Sequence, residues 1–170
     1  KMIINQCANM FDKILVFPNN ISPDNKKNTL ISNEHRINML NMIIDKNNVL
    51  INDFELQSNK ISYTYYTIQY LVDNYKNYDI TMIIGKDQLL NLNNWYKSDY
   101  ILKKVNILCY NRIVDSDFEI FKFKNIQLKD FNFPYSSTYI RNSIKNNNII
   151  DKDVISNATV EYINKNNLYK

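Results

Sequence analysis

Ser136-Ser137-Thr138-Tyr139-Ile140-Arg141 sets three aliphatic hydroxyls and a guanidinium where a helix is expected to begin, just after Phe133-Pro134-Tyr135. The first turn of a helix leaves backbone N–H groups without intrahelical partners, and the aligned peptide dipoles place positive potential there. Hydroxyls donate to phosphate oxygens, and an arginine one turn further in adds a charge-assisted fork. The spacing therefore suits an anion, phosphate above all. It equally suits plain N-capping, in which a Ser or Thr oxygen accepts from a backbone N–H in the first turn. Both readings stand on these residues alone.

Other chemistries are poorly supplied. His35 is the only histidine among 170 residues, which argues against a histidine metal site or a Ser-His-Asp triad within this chain. Cys7 and Cys109 are far apart, lie in apolar settings and lack metal-ligand spacing. They read as buried free thiols in a reducing compartment, which places the protein in the cytoplasm. The net charge of +4 permits an anionic ligand without demanding nucleic acid. The tyrosines are dispersed and not clustered with Lys and Arg, so an RNA-binding sheet is disfavoured. No apolar run approaches the ~20 residues that span a bilayer, and no signal-peptide pattern is visible.

The elements that must position the hydroxyl cluster follow from periodicity. Met2, Ile3, Ile4, Cys7, Ala8 and Phe11 fit one face of a helix. Lys13 to Phe17 reads as a short buried strand closed by Pro18-Asn19-Asn20, and Ser32-Asn33-Glu34 signals a helix start. Val49-Leu50-Ile51 reads as a second strand, and Ser62-Tyr63-Thr64 opens a helix with Thr67, Ile68, Leu71 and Val72 inward. Ile80 to Ile84 is a continuous apolar strand ending at Gly85-Lys86-Asp87, and Val105 to Tyr110 is another, followed by Asn111-Arg112. Phe118–Phe123 and Ile126–Leu128 read as edge strands, and helices from about Thr138 and Ala158 complete the chain.

Strands alternating with helices imply one α/β domain with a mostly parallel sheet, whose ligands bind at the C-terminal strand ends. Lys26-Lys27, Tyr63-Thr64, Gly85, Asp87 and Arg112 fall at that end, which points to a single site. Gly85 is the lone glycine where average usage of ~7% would give about a dozen. It is expected to sit where a side chain does not fit.

Together these segments resemble the nicotinate/nicotinamide mononucleotide adenylyltransferases of the HxGH nucleotidyltransferase superfamily, in order and over nearly the whole chain. Val16-Phe17-Pro18 with Lys26-Lys27 and His35-Arg36 is similar to the family's strand, basic loop and arginine helix. Ser62-Tyr63-Thr64 with Thr67 resembles its SYT-x-x-T segment, Gly85-Lys86-Asp87 its G-x-D, and Trp95-Tyr96 its Trp element. Arg112 follows a strand as the family's arginine does, and Ser136 to Arg141 matches SST-x-I-R. Val160-Glu161-Tyr162-Ile163 with Leu168-Tyr169 resembles the family's C-terminal end.

The resemblance implies a Rossmann-like fold: a central, mostly parallel sheet with helices on both faces and a small C-terminal helical part. It implies transfer of AMP from ATP to nicotinate mononucleotide, or also nicotinamide mononucleotide, giving deamido-NAD or NAD and pyrophosphate. Mg²⁺ would be carried by ATP. Ser136, Ser137, Thr138 and Arg141 would hold ATP phosphates, Gly85 would allow close approach, and Asp87 would bind ribose hydroxyls. Trp95 with Tyr96 would stack on the pyridine ring, Tyr63 and Thr64 would read its substituent, and Lys26, Lys27 and Arg112 would contact phosphates. His35 is expected to be structural, while Arg36 faces either core or ligand. A homodimer is compatible with this reading.

The family's G-x-F-x-P-x-H-x-G-H signature is absent from these residues, and Lys1 to Phe11 resembles the helix that follows it. The signature's strand, expected beside the Ile14–Val16 and Ile80–Ile84 strands, would then lie upstream in a longer protein. Losing comparable preorganised donors costs roughly 10²–10³ in rate. The alternatives are a pantetheine-phosphate adenylyltransferase, disfavoured by Tyr63-Thr64 and Trp95-Tyr96, and a non-catalytic nucleotide-binding module, which an upstream sequence without the histidines would favour.

Overall fold

The computed structural model describes residues 1–23, 31–111, 125–131, 135–146, 148, 150 and 154–169. Along the chain run α1 (Met2–Ala8), β1 (Ile14–Val16), α2 (Asn33–Asn41), β2 (Val49–Ile51), α3 (Thr64–Asn74), β3 (Thr81–Gly85), α4 (Lys86–Asn91), α5 (Ser98–Lys104), β4 (Asn106–Asn111), β5 (Ile126–Asp130), α6 (Ser137–Lys145) and α7 (Asn157–Lys165). They form two compact units: Lys1–Ser62 with Tyr135–Lys170, and Tyr63–Pro134.

In the Tyr63–Pro134 unit, β3 is apolar at Met82, Ile83 and Ile84 and half-buried along its length. It pairs in parallel with β4, Ile83 against Leu108 and Gly85 against Tyr110. β4 pairs in parallel with β5, Cys109 against Leu128. Parallel neighbours need a crossover, and α4, a 3₁₀ turn at Leu92–Asn94 and α5 supply it between β3 and β4. Tyr65 and Ile68 of α3, Leu89 of α4, Leu92 and Ile101 join Val105, Ile107 and Cys109 in one core.

In the other unit, β1 and β2 pair in parallel, Ile14 with Val49 and Val16 with Ile51, and a parallel bridge joins Ile21 to Ile61. The Asn48 amide donates to the carbonyls of Ala8 and Phe11 at 2.9 Å each, tying the end of α1 to the approach of β2. Ile31, Ile144, Ile163 and Leu168 form a second core with Met39, Ile140 and Tyr162 against it. The Tyr162 hydroxyl lies 2.8 Å from His35 Nδ1 and accepts from Asn38 Nδ2 at 2.9 Å. His35 is therefore engaged structurally, linking α2 to α7.

All strand pairings are parallel, as expected, but the strands divide between two sheets, β1-β2 and β3-β4-β5. Among the described residues one edge of β1 and one edge of β3 carry no partner strand. The Phe118–Phe123 strand expected from the sequence lies outside the described residues. Among those described, no helix is long and apolar enough to cross a membrane.

Ile101 is wholly buried, so Ile101→Ala should cost about 2–5 kcal/mol, read as a lowered urea midpoint. Leu90→Ala on the neighbouring helix should stay within about 0.5 kcal/mol, because Leu90 is 57% exposed.

Candidate functional site

The start of α6 carries the hydroxyl cluster. Ser136 is the N-cap, and its Oγ accepts from the Tyr139 N–H at 3.0 Å. Capping is thus real, yet it uses only an oxygen lone pair of one of the three hydroxyls. Ser137, Thr138 and Arg141 stand exposed, and Arg141 Nη2 donates to Thr138 Oγ1 at 3.3 Å. Ser143 and Ile144 are buried and Ile140 packs on the core, so this side of the helix is covered while Ser137, Thr138 and Arg141 lie outside it.

A second guanidinium lies in the same unit. Arg36 Nη1 donates to the Asn19 carbonyl at 2.6 Å and to Asn33 Oδ1 at 3.1 Å, and Nη2 donates to Asn19 Oδ1 at 3.0 Å. The question of core or ligand resolves to neither exclusively: the group ties α2 to the loop after β1. Burial lowers its pKa, while Tyr169 and Glu55 act in the opposite sense. Burial raises the Tyr169 phenol, and Arg141 and Arg36 both pull it down, so two cations bear on one neutral hydroxyl. A cavity of about 560 Å³ opens in this unit, walled by Val16, Phe17, Pro18, Met39, Ile140 and Arg36. Its size and largely apolar walls, with Lys1, Arg36, Ser156 and Thr159 as the polar lining, suit a small planar ligand.

The Tyr63–Pro134 unit holds the other candidates. Tyr63 is the N-cap of α3 and makes no side-chain cap bond. Ser62, expected to help open this helix, instead accepts from the Asn20 N–H at 3.0 Å. The dipole end of α3 at Tyr63-Thr64 is therefore not closed by a side chain at its N-cap, which suits a carboxylate. Tyr63 and Tyr96 lie with ring centroids 5.0 Å apart, so the structure brings these two predicted residues together.

Trp95 is partly buried and packs on the hydrophobic core, so its ring carries a structural load that its polar sequence neighbours did not reveal. Gly85 has φ −86°, an ordinary value for any residue. Among the described residues a Cβ there would meet only Asp87 Oδ1, at 3.4 Å. The expected steric need for glycine is not imposed by the fold; any such need must come from a ligand. Asp87 is exposed in the first turn of α4, where its charge also favours the helix dipole. Burial pushes the Cys109 thiol pKa up, with nearby Asp87 adding to the effect, which keeps it protonated and inert.

Lys26, Lys27 and Arg112 lie outside the described residues. Among the described residues no three His, Cys, Asp or Glu side chains converge as a metal site. The donors at α6 are hydroxyls and a guanidinium, which fit phosphate oxygens and not a bare cation.

Sequence reasoning missed a tyrosine cluster with one lysine. Tyr66 and Tyr96 are exposed, with ring centroids 6.1 Å apart, and Tyr65 meets Tyr96 edge-on at 5.6 Å. Lys97 Nζ sits 4.4 Å from the Tyr65 centroid and 5.5 Å from that of Tyr96, and donates to the Tyr65 hydroxyl at 3.4 Å. Lys97 takes a left-handed backbone, φ 54°, at the N-cap of α5. Non-glycine residues seldom hold this conformation unless the surroundings impose it. The three tyrosines at 63, 65 and 66 were the available signal, but their partners lie some thirty residues away.

Residues 1–143 match the family described as Cytidylyltransferase-like. The probable nicotinate-nucleotide adenylyltransferase of Flavobacterium johnsoniae is 32% identical over 167 residues, covering 92% of this chain and 82% of that protein. The probable nicotinate-nucleotide adenylyltransferase of Clostridium tetani is 31% identical over 170 residues, covering 94% and 84%. Among solved structures, the nicotinic acid mononucleotide adenylyltransferase of Plasmodium falciparum complexed with NaAD superimposes with a TM-score of 0.82 at 23% identity, covering 99% of this chain and 88% of that one.

The cap and the exposed hydroxyls should separate on mutation. Ser136→Ala should cost about 0.5–2 kcal/mol in denaturant unfolding. Ser137→Ala, with an exposed side chain, should change stability by no more than about 0.5 kcal/mol.

Proposed function

Since the chain belongs to the Cytidylyltransferase-like family and, within it, to the nicotinate-nucleotide adenylyltransferases, we propose the following division of labour for adenylyl transfer from ATP to nicotinate mononucleotide. The mononucleotide phosphate attacks the α-phosphorus of ATP, an oxygen–phosphorus bond forms as the bond to pyrophosphate breaks, and deamido-NAD is released with pyrophosphate. No enzyme nucleophile takes part, so the protein acts by in-line positioning and by charge placed where the transition state needs it.

The observation that carries this reading is the start of α6, where Ser136 closes the helix while Ser137, Thr138 and Arg141 stay exposed on one polar face. Ser137 and Thr138 donate to phosphate oxygens, and Arg141 offsets charge accumulating on the triphosphate. The cavity beside Val16, Phe17 and Ile140 takes the adenine, and Arg36 reinforces the positive field at its wall. Mg²⁺ enters as the counter-ion of ATP, held by phosphate oxygens and water. Lys26, Lys27 and Arg112 serve as further phosphate contacts.

In the other unit, Asp87 accepts from ribose hydroxyls, Gly85 leaves room for the ligand, and Tyr96 with Trp95 presents aromatic surface to the pyridine ring. The α3 start at Tyr63-Thr64 meets the ring substituent with backbone donors, which favours a carboxylate over a carboxamide. Nicotinate mononucleotide is thus the preferred acceptor and nicotinamide mononucleotide the weaker one. Donors for the pentavalent phosphorus are also needed, and His35, the chain's one histidine, is committed to Tyr162.

Pyrophosphate release with ATP and Mg²⁺ should occur with nicotinate mononucleotide, more slowly with nicotinamide mononucleotide, and not with phosphopantetheine. Release with phosphopantetheine alone would replace the substrate assignment. Silence with every acceptor from a protein that binds ATP would make it a non-catalytic module. Arg141→Ala should raise the KM for ATP by one to two decades, about 1.5–3 kcal/mol, and leave the mononucleotide KM nearly unchanged. Tyr96→Ala should do the reverse, raising the mononucleotide KM by roughly 0.5–1.5 kcal/mol.

A further inference from the structure

Tyr65, Tyr66 and Lys97 have no part in the reaction described above, yet they adjoin Tyr63 and Tyr96, and Lys97 directly follows Trp95-Tyr96. Tyr63, Tyr66 and Tyr96 form a connected ring surface, with Tyr63–Tyr96 centroids at 5.0 Å, Tyr63–Tyr66 at 6.5 Å and Tyr66–Tyr96 at 6.1 Å. Tyr66 and Tyr96 are 43% exposed each, so the surface is open to a planar ligand. Lys97 brings a cation to its edge. The ammonium is held over two rings and hydrogen-bonded to the Tyr65 hydroxyl.

The position is built, not incidental. A lysine side chain on a helix surface ordinarily samples many rotamers, and fixing it costs entropy. Here a left-handed backbone at Lys97 starts α5 and lays the side chain back on Tyr65, which is itself buried in the core. Among the described residues Nζ meets two tyrosine rings and one tyrosine hydroxyl, so it is held in place by groups that are not carboxylates. An ammonium fixed beside an exposed aromatic surface is suited to read a negatively charged ring substituent.

We propose that Lys97 is a specificity-determining residue that selects the acid form of the pyridine ring over the amide. With the ring on the Tyr63–Tyr96 platform, its carboxylate pairs with Lys97 Nζ, while a neutral carboxamide gains little from the same ammonium. Tyr65 is a positioning residue for that ammonium. The proposal rests on the assignment of a pyridine mononucleotide as acceptor.

The test is direct binding of nicotinate mononucleotide and nicotinamide mononucleotide to the full-length protein by calorimetry, with Lys97→Met, Lys97→Arg and Tyr65→Phe. Lys97→Met should weaken the acid about tenfold and the amide less than twofold, with an unchanged melting temperature. Lys97→Arg should restore most of the acid affinity. Tyr65→Phe, which frees the ammonium without removing it, should weaken the acid alone by a smaller factor, and it keeps the proposal testable if Lys97→Met does not fold. Equal losses for both ligands would make Lys97 a structural clasp on the tyrosines and overturn the proposal. An acid preference that survives Lys97→Met would overturn it as well. Wild-type protein that binds neither pyridine mononucleotide would overturn the acceptor assignment itself, a failure visible before any variant is made.

Discussion

Parallel strands cannot be joined by a tight turn, and the placement of Gly85, Asp87, Trp95 and Tyr96 follows from that constraint. β3 reaches its parallel neighbour β4 through α4 and α5, so the end of that strand is followed by a helix beginning. β3 ends at Gly85 and α4 begins at Lys86, while the chain returning to β4 passes through Trp95, Tyr96 and Lys97 before α5. The β3–β4 register sets Gly85 opposite Tyr110, fixing where that end of the sheet lies. The crossover cannot wander, because Leu89, Leu92 and Ile101 are wholly buried along it. Three buried aliphatic anchors in thirteen residues thus present the exposed Tyr96 and Lys97 in one defined place. Residues packed in the core thereby determine where the exposed ones stand.

What could be read from the sequence was whatever depends on near neighbours. The apolar run ending at Ile84 and the triplet Val49–Ile51 became β3 and β2, since a short run of apolar residues bounded by turn signals is a plain local signature. Ser32, Ser136 and Ser156 each cap the helix that follows, and the first two were visible as start signals. Longer-range properties were hidden. Ser62 looked like part of the α3 start, but its hydroxyl oxygen accepts from Asn20, forty-two residues earlier. Gly85 looked sterically required, whereas its φ is ordinary. Trp95 has polar flanks, yet the core claims part of its ring, because indole is large enough to be half buried whichever residues adjoin it. The Tyr65–Lys97 pair spans thirty-two positions, and no periodicity encodes it.

The chemistry available to the chain is correspondingly indirect. Cys109 is buried and its thiol is held protonated, and His35 is taken up by Tyr162. What remains are hydroxyls, guanidiniums, an ammonium and helix ends, all suited to holding anions in place. Such a set does little for a reaction that needs covalent catalysis. It serves phosphoryl-group chemistry well, where the loose transition state asks mainly for alignment and stabilised charge. Arg36 shows how the fold limits such groups: its three hydrogen bonds to Asn19 and Asn33 fix the guanidinium while leaving its charge uncancelled by those neutral acceptors.

The two readings of Ser136 to Arg141 are often treated as rivals, and the geometry shows why they need not be. A capping hydroxyl accepts through an oxygen lone pair, as Ser136 does from the Tyr139 N–H. Its own proton stays available, because a hydroxyl has one donor beside two acceptor sites. Capping satisfies one of the N–H groups at the helix start, and up to three others still lack intrahelical partners. The cap therefore orders the first turn and keeps the anion-binding capacity of that turn. Ser137 and Thr138 follow immediately on the exposed side, and Arg141 reaches back to Thr138 from one turn along. A cap placed by Ser136 thus takes nothing from the phosphate role proposed for Ser137, Thr138 and Arg141, and it orders the turn that carries them.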